Sequence, residues 1–219
     1  MKKSLFTFLI LCAVCITVSA QEAKPTSYKT CPDDNHPHLI DLGLPSGTKW
    51  ACCNVDVKTP EDYGGYYAWG EIATKSKYTS KNYLYKANKK GTEFQDLGAS
   101  ICGTQYDVAH VKWGGSWQLP TKEQIEELLD KCNKGEWTTQ NGVEGRKFTG
   151  PNGRSIFLPA AGLRDGTGLD GSGSYGDYWS GMQSASYSYP ACYLFFNGGL
   201  AGCLIYDRFR GRTVRPVAE

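Results

Sequence analysis

The sequence predicts an α+β domain in which two helices pack on short antiparallel strands connected by long loops. Two stretches, near 105–112 and from 121 to 132, have the caps or the apolar spacing of helices. From Glu136 onward, short strand-like runs alternate with turn residues. The clearest turn is Asn197-Gly198, which lies between ACYLFF and LAGCLIY and predicts a β-hairpin.

The N-terminus has the three parts of a secretory signal peptide. Lys2 and Lys3 precede an apolar run over 5–18, and small residues surround a predicted cleavage site after Ala20. The run is shorter than the roughly 20 apolar residues that cross a bilayer, so a retained membrane anchor is only the alternative. We therefore expect residues 1–20 to be removed and the mature protein to be secreted or held at the cell surface, without membrane insertion.

The mature chain has the length of one domain and a balanced charge. Removing 20 of 219 residues leaves 199, in which the polar, proline-containing stretch 21–38 predicts a flexible lead-in to a domain at 39–219. The 24 basic side chains become 22 without Lys2 and Lys3, against 22 acidic ones. This balance argues against nucleic acid as a partner and against anionic membranes, because both depend on a positive field.

The first third of the domain predicts strands and aromatic loops. The run 38–42 predicts a strand, 45–47 a turn and 48–53 a second strand. Residues 61–71 hold four aromatic rings around a glycine pair, more than one exposed loop normally carries. The lysine- and tyrosine-rich stretch 75–91 predicts a surface excursion.

Two helices are predicted next. The shorter lies near Gln105–Lys112, with Thr104 as its candidate cap. The second begins at Thr121, whose hydroxyl can cap the helix while Gln124 completes a capping box. Four side chains recur at helical spacing on one face of this helix and are predicted to enter the core: Ile125, Leu128, Leu129 and Cys132.

The rest of the domain predicts short strands and turns. The candidate strands are 136–140, 146–150, 155–161, the two arms of the hairpin 191–206, and a last strand near 213–217. The glycine-rich stretch 162–176 predicts a long turn.

Some cysteines are expected to pair, because an exported chain meets an oxidising compartment. Seven remain after cleavage, an odd number, so at least one is free or pairs with another molecule: Cys31, Cys52, Cys53, Cys102, Cys132, Cys192 and Cys203. Cys192 and Cys203 lie symmetrically about Asn197-Gly198, so a two-residue turn would place them opposite each other, about 5.5 Å apart at Cα, which a disulfide permits. Two small buried thiols are the alternative.

Glycine, proline and tryptophan motifs occur in a fixed order along nearly all of the mature chain. Over roughly 39–217 they resemble the Fibrobacter major paralogous domain family: DLGLPSGTKWA, EDYGGYYAWGE, HVKWGGSWQLPT, CNKGEWTTQNGVEG, GPNGRSIFLPAAGLR, YWS and TVRPV. The resemblance implies a C-type-lectin-like fold, which also includes formylglycine-generating enzymes and the C-terminal domains of some collagen-like bacterial adhesins. It implies an exported or surface protein of a gut- or rumen-type bacterium, and it implies no particular reaction.

Calcium-dependent sugar binding has only weak candidate ligands in this sequence. The calcium-dependent lectins of that fold use Glu-Pro-Asn or Gln-Pro-Asp, whereas the nearest match, Gly150-Pro151-Asn152, lacks the carboxylate. Asp165, Asp170 and Asp177 could supply some of the six to eight oxygens that calcium takes. Aspartates that bond nearby backbone amides of a turn are the alternative.

Catalytic motifs are weaker still. Cys192 and Cys203 raise the alternative of a formylglycine-generating type of oxidase, but their surroundings do not match that family's cysteine motif. The sequence has no Gly-x-Ser-x-Gly and no His-Glu-x-x-His motif. We therefore predict no catalytic residues and no cofactor.

Two groups of side chains are candidates for ligand binding. Lys81, Tyr83 and Lys86 belong to the basic, aromatic excursion, whose alternative role is a solvated loop. The second group is Tyr175, Tyr187 and Tyr189 in a serine- and glycine-rich setting. We expect a non-catalytic, lectin-like module that binds a glycan or a protein ligand. Besides the oxidase, the alternative is a structural subunit of a surface appendage.

Overall fold

A computed structural model of the protein describes residues 39–184 and 189–219. The predicted signal peptide 1–20, the lead-in 21–38 and Tyr187 lie outside the described residues. Of the helices in the described ranges, none combines the length and apolar character needed to cross a membrane.

The described chain forms thirteen main elements, which we number in chain order. They are β1 Leu39–Asp41, β2 Lys49–Ala51, α1 Val108–Trp113, α2 Lys122–Lys131, β3 Glu136–Gln140, β4 Val143–Thr149, β5 Ser155–Pro159, β6 Leu163–Asp165, β7 Gly168–Asp170, β8 Tyr175–Gln183, β9 Pro190–Asn197, β10 Ala201–Asp207 and β11 Val217–Ala218. The strands form small sheets with the orders β1-β2-β11, β3-β4-β5, β8-β9-β10 and β6-β7. Every pairing in these sheets is antiparallel.

The predicted α+β class, with its C-type-lectin-like arrangement of two helices on short strands, is wrong. Strands take 37% of the structure and helices 11%, so the fold is β-rich. The two helices have only six and ten residues. Part of the stretch 162–176, predicted as a turn, pairs as β6 and β7 and begins β8. The helices are therefore a smaller part of the fold, and the glycine-rich stretch a more regular one, than the sequence pattern predicts.

Helix α2 confirms its sequence prediction. The Thr121 hydroxyl accepts a hydrogen bond from the Gln124 amide at 3.2 Å, and the Gln124 side chain accepts one from the Thr121 amide at 2.9 Å. These reciprocal bonds satisfy two donors that a helix start leaves without partners. Ile125, Leu128 and Leu129 are buried, as the helical spacing predicts.

Helix α1 has a different cap from the predicted one. Asp107 caps it, accepting hydrogen bonds through Oδ1 from the amides of Ala109 (2.9 Å) and His110 (3.2 Å). Thr104 instead belongs to the preceding turn, where its hydroxyl donates to the Ile101 carbonyl at 2.7 Å. The prediction of Thr104 is wrong because a buried carboxylate three residues further on competes for the same role.

The sheet β8-β9-β10 has one face against α2. Tyr178, Leu194 and Phe196 point to this face and belong to the same buried cluster as Ile125 and Leu128 of the helix. Because side chains alternate along a strand, their neighbours point to the opposite face. The residues adjacent in sequence to Tyr178, Leu194 and Phe196 therefore point to the face of the sheet away from α2, which we call the outer face.

The predicted hairpin is present, but its register is not the predicted one. The two-residue turn is Gly198-Gly199, because the Asn197 amide donates to the Leu200 carbonyl at 2.9 Å. The Asn197 side chain accepts from the amides of Gly199 (2.9 Å) and Leu200 (2.8 Å), so Asn197 ends β9 instead of entering the turn. A one-residue displacement of the turn moves every cross-strand pair by two positions.

Gly176 in β8 provides a first test of this packing. A Cβ built at this position would overlap the Phe196 ring on the α2 face, and Phe196 is fully buried. We expect Gly176→Ala to lower the free energy of unfolding by about 1–3 kcal/mol, the usual cost of overpacking. Urea denaturation measures it. The matched control is Gly202→Ala in β10, where nothing lies within 4 Å of the added carbon. Equal losses for both variants would contradict the assigned packing.

Candidate functional site

A cavity of about 220 Å³ opens on the outer face of the sheet β8-β9-β10. We call it the Asp177 cavity. Its lining combines four aromatic rings with three charged side chains and one leucine: Tyr175, Tyr193, Phe195, Tyr206, Asp177, Arg210, Arg212 and Leu163. Among the described residues, this open cavity combines aromatic side chains with buried charged ones. We therefore treat it as the candidate site.

Strand alternation brings these side chains together. Tyr175 and Asp177 lie two residues apart on β8, so they share a face. Asp177 is opposite Phe195 on β9, and Phe195 and Tyr193 share that same face. Leu204 of β10 is opposite Tyr193 and therefore on the same face. Tyr206 lies two residues after Leu204, so its side chain points to this face too. The face turned away from α2 thus carries the rings of the cavity.

Arg212 reaches the cavity from the segment that follows β10. Its backbone is fixed by two hydrogen bonds with Tyr67, at 2.8 and 2.9 Å. Its guanidinium carbon lies 4.3 Å from the ring centroid of Trp179 and 4.0 Å from that of Tyr193. Such close cation–π contacts stabilise a desolvated guanidinium.

Asp177 and Arg212 form a buried ion pair at the base of the cavity. Arg212 Nε donates to Asp177 Oδ2 at 3.1 Å, and the side chains are 1% and 2% exposed for Arg212 and Asp177. Within the described part of the chain, Asp177 Oδ1 and Arg212 Nη1 have no hydrogen-bond partner, although both are buried. Leaving buried polar atoms unpaired is costly, so this pair has unused capacity for hydrogen bonding.

The rim of the cavity is aromatic, and its outer charge is paired. Tyr175 and Phe195 lie 5.9 Å apart between ring centroids. On the other side, the Arg210 guanidinium carbon lies 4.8 Å from the centroid of Tyr206. Arg210 also forms an ion pair with Asp165 and a longer one, 3.8 Å, with Asp207. The cavity wall therefore combines aromatic rings with charged groups that are already paired.

Burial changes the acid–base behaviour of Asp177. Desolvation raises the pKa of this carboxyl from its ordinary 3.8 to about 6, outweighing the opposing effect of the positive charge of Arg212. Between these two values the folded protein binds more protons at Asp177 than the unfolded chain does. The contribution of Asp177 to the free energy of unfolding is therefore largest at low pH. It is lost as the pH rises through the pKa of Asp177 in the folded protein.

We expect ionisation of Asp177 to lower the free energy of unfolding by at most about 3 kcal/mol as the pH rises from about 4 to about 7. This bound comes from the difference between the folded and unfolded pKa values, at about 1.4 kcal/mol per pKa unit. Urea denaturation at several pH values measures the effect. Asp177→Asn cannot titrate, so subtracting its profile from the wild-type profile isolates the contribution. Identical pH profiles for the two proteins would show that Asp177 does not titrate in this window.

The structure separates the predicted ligand-binding residues. Tyr175 lies in the cavity wall. Tyr189 is 40% exposed but lies elsewhere, with its ring at 5.4 Å from that of Phe94. Lys81 is exposed and Lys86 half-buried, and neither lines the Asp177 cavity. The predicted lysine–tyrosine group and Tyr175 therefore do not form one surface.

Tyr83 is a wrong prediction. Its side chain is 0% exposed, and its hydroxyl donates to the Trp69 carbonyl at 2.7 Å. The ring also makes edge contacts with Tyr85 and Phe94. This tyrosine anchors the excursion 75–91 to the core and is closed to a ligand.

The weak calcium candidates do not converge. Asp177 is paired with Arg212 and Asp165 with Arg210, while Asp170 is exposed at the end of β7. In the ranges 39–184 and 189–219, no three His, Cys, Asp or Glu side chains are grouped as a metal site would require. A calcium ion at these three carboxylates would have to break two ion pairs, so the prediction is not supported.

Cys192 and Cys203 lie on neighbouring strands but not opposite each other. Cys192 is opposite Ile205, and Cys203 is opposite Leu194, which makes the cysteines diagonal neighbours on the α2 face. The two sulfur atoms are not joined in a disulfide, and the thiols are close enough to influence each other's ionisation. The neighbouring Cys192 thiol and burial raise the pKa of the Cys203 thiol. The predicted proximity is present, whereas the predicted directly opposed register is wrong.

A larger cavity, of about 410 Å³, lies near β1 and β5. Its lining includes Ile40, Cys52 and Phe157, and its one charged lining residue, Arg154, is exposed. Specific small-molecule sites combine apolar walls with a few oriented polar groups. The Asp177 cavity meets that description better despite its smaller volume.

Arg210, Arg212 and Tyr206 line the cavity although the sequence does not predict them as site residues. The available signal was the spacing of Arg208, Arg210 and Arg212, which places a cation at every second position after the hairpin. Arg208 and Arg212 are both buried, which is rare for arginine unless the guanidinium has partners inside the protein. Comparison of the chain with protein-family models, with curated proteins and with solved structures gives no match.

Proposed function

We propose that this protein is an exported, non-catalytic recognition module that binds a glycan or a protein ligand through the Asp177 cavity. The observation that carries the proposal is the combination of an aromatic wall with a buried ion pair that keeps one acceptor and one donor unused. Binding sites for polar small ligands share this design, because apolar walls supply contact area and a few buried polar atoms fix the orientation.

The thiol pair gives less support to the alternative oxidase. A reactive cysteine needs an accessible, electropositive setting. Cys192 is buried, and both cysteines point to the face covered by α2. The family resemblance stays a prediction and is compatible with either function, since it implies no particular reaction.

Binding of the purified full-length protein, collected after export, to glycan and protein arrays tests the proposal. We expect at least one binder at micromolar concentration, with signal lost in Tyr175→Ala and retained in Tyr189→Ala. N-terminal sequencing of the same sample checks whether cleavage leaves Gln21 first. A complete lack of binders, or binders that respond to Tyr189→Ala and not to Tyr175→Ala, would contradict the proposed site.

A further inference from the structure

The ion pair at the base of the Asp177 cavity limits the charge of a ligand. Asp177 and Arg212 neutralise each other while almost completely buried, and Arg210 is neutralised by Asp165. An anion entering the cavity would compete with Asp177 for Arg212, and a cation would compete with Arg212 for Asp177. A ligand without net charge leaves the pair intact and avoids the cost of an uncompensated buried charge.

The same pair sets a hydrogen-bonding requirement. Asp177 Oδ1 can only accept and Arg212 Nη1 can only donate, and both lack a partner among the residues described. A hydroxyl group both donates and accepts. Two adjacent hydroxyls on one rigid ring can therefore bond Oδ1 and Nη1 together.

The wall and volume of the cavity favour a single ring. At ~30 Å³ for each water, about 220 Å³ corresponds to about seven water molecules, below the range of ~300–1,000 Å³ of most drug-sized sites. Tyr175 and Phe195 offer apolar ring faces on one side of this space. The C–H face of a sugar packs on such rings while its hydroxyls remain directed to polar atoms.

Tyr206 is the exposed ring at the rim next to the pair. Its ring lies 5.6 Å from the guanidinium carbon of Arg212 and is 44% exposed. Asp177 Oδ1 and Arg212 Nη1 are closed to solvent beneath the cavity surface, so a ligand can reach them only when a covering group moves. An exposed side chain at the rim can change rotamer quickly, although Tyr206 gives up its contact with the Arg210 guanidinium when it does.

From these observations, and resting on the proposed function, we infer that the Asp177 cavity binds one uncharged pyranose, a terminal sugar residue of a glycan, through two adjacent hydroxyls. One hydroxyl donates to Asp177 Oδ1 and the next accepts from Arg212 Nη1. The Tyr206 ring turns aside to admit the sugar, and Tyr175 supports its apolar face.

Methyl glycosides that differ only in charge provide the test. The probes are methyl glucoside, galactoside and mannoside, their uronic acid counterparts and their 2-amino counterparts, titrated into the full-length protein by isothermal calorimetry or ligand-observed NMR. We expect at least one neutral glycoside to bind about tenfold or more tightly than both of its charged counterparts. Analogues that lack one of the two adjacent hydroxyls should bind about tenfold more weakly.

Variants locate the binding. Tyr175→Ala is expected to weaken binding of the neutral sugar about tenfold, whereas the control Tyr189→Ala removes an equally large but more exposed ring outside the cavity and should not change binding. Circular dichroism of each variant separates loss of binding from loss of the fold.

The possible outcomes separate this inference from the proposed function. Tyr175-dependent preference for an acidic or amino sugar, or Tyr175-dependent binding of a peptide or protein only, overturns the inference while the recognition function stands. Neutral sugars that bind equally well to wild type and Tyr175→Ala overturn the assignment of the site. If neither sugars nor proteins bind in a Tyr175-dependent way, both proposals fail.

Discussion

Replacing Asp177 by alanine is expected to lower the free energy of unfolding by about 2–4 kcal/mol at pH 7, because the cost of leaving Arg212 unpaired is partly offset by removal of a carboxylate that is itself poorly solvated. The substitution leaves the Arg212 guanidinium with 1% exposure and without its carboxylate. An unpaired buried cation cannot recover its lost hydration, and arginine does not escape by deprotonation. Urea denaturation, with the midpoint and slope compared between the two proteins, measures the loss.

The control for this prediction is the paired replacement Asp177→Leu with Arg212→Met. Removing both charges together and filling the space with apolar side chains should recover most of the loss, because buried ion pairs often contribute little net stability over apolar groups. If the double variant is as unstable as Asp177→Ala, the loss comes from packing and not from the uncompensated charge. The double variant should still lose sugar binding, since both hydrogen-bonding atoms are gone.

Local features of the fold could be predicted from the sequence. The capping box at Thr121 and Gln124 depends on residues three positions apart, so the sequence contains the whole interaction. The hairpin near 191–206 is similarly local, and its two arms form β9 and β10. Predictions of this kind succeed because no distant residue has to be known.

Predictions failed where two local signals compete. Asn197-Gly198 and Gly198-Gly199 both favour a two-residue turn, and the structure uses the second because the Asn197 side chain bonds the turn amides of Gly199 and Leu200. The cysteines moved from opposed to diagonal positions as a result. A shift of the turn by one residue is therefore enough to make the predicted pairing of the two cysteines wrong.

The candidate site was only partly predictable because it depends on contacts between distant segments. The setting of Tyr175 predicts a ligand contact, but the local sequence of Asp177 suggests a calcium loop, because its partner Arg212 lies 35 residues away in sequence. Tyr83 looked like an exposed ring among lysines, and its hydroxyl instead bonds Trp69 inside the core. Sequence spacing does not tell which arginine a buried aspartate pairs with, nor which tyrosine of a basic stretch turns inward.

Trp179 is expected to be the most sensitive aromatic residue of the site, and Trp179→Ala should lower the free energy of unfolding by about 3–5 kcal/mol. The side chain is 1% exposed, and its indole N–H donates to the Tyr67 carbonyl at 2.7 Å. Its ring also faces the Arg212 guanidinium at 4.3 Å, so alanine removes core volume and part of the surroundings of a buried cation. Thermal and urea denaturation measure the loss.

Trp179→Phe separates these contributions, because phenylalanine keeps a ring beside Arg212 and removes only the hydrogen bond and some volume. Its expected cost is about 1–2 kcal/mol, since the Tyr67 carbonyl keeps a second donor, the Arg212 amide at 2.9 Å. A double-mutant cycle of Trp179→Ala with Arg212→Met should give a coupling of roughly 0.5–2 kcal/mol. Strict additivity would mean that the indole stabilises the core without holding the arginine, and the ion pair beneath the cavity would then depend on Tyr193 and Asp177 alone.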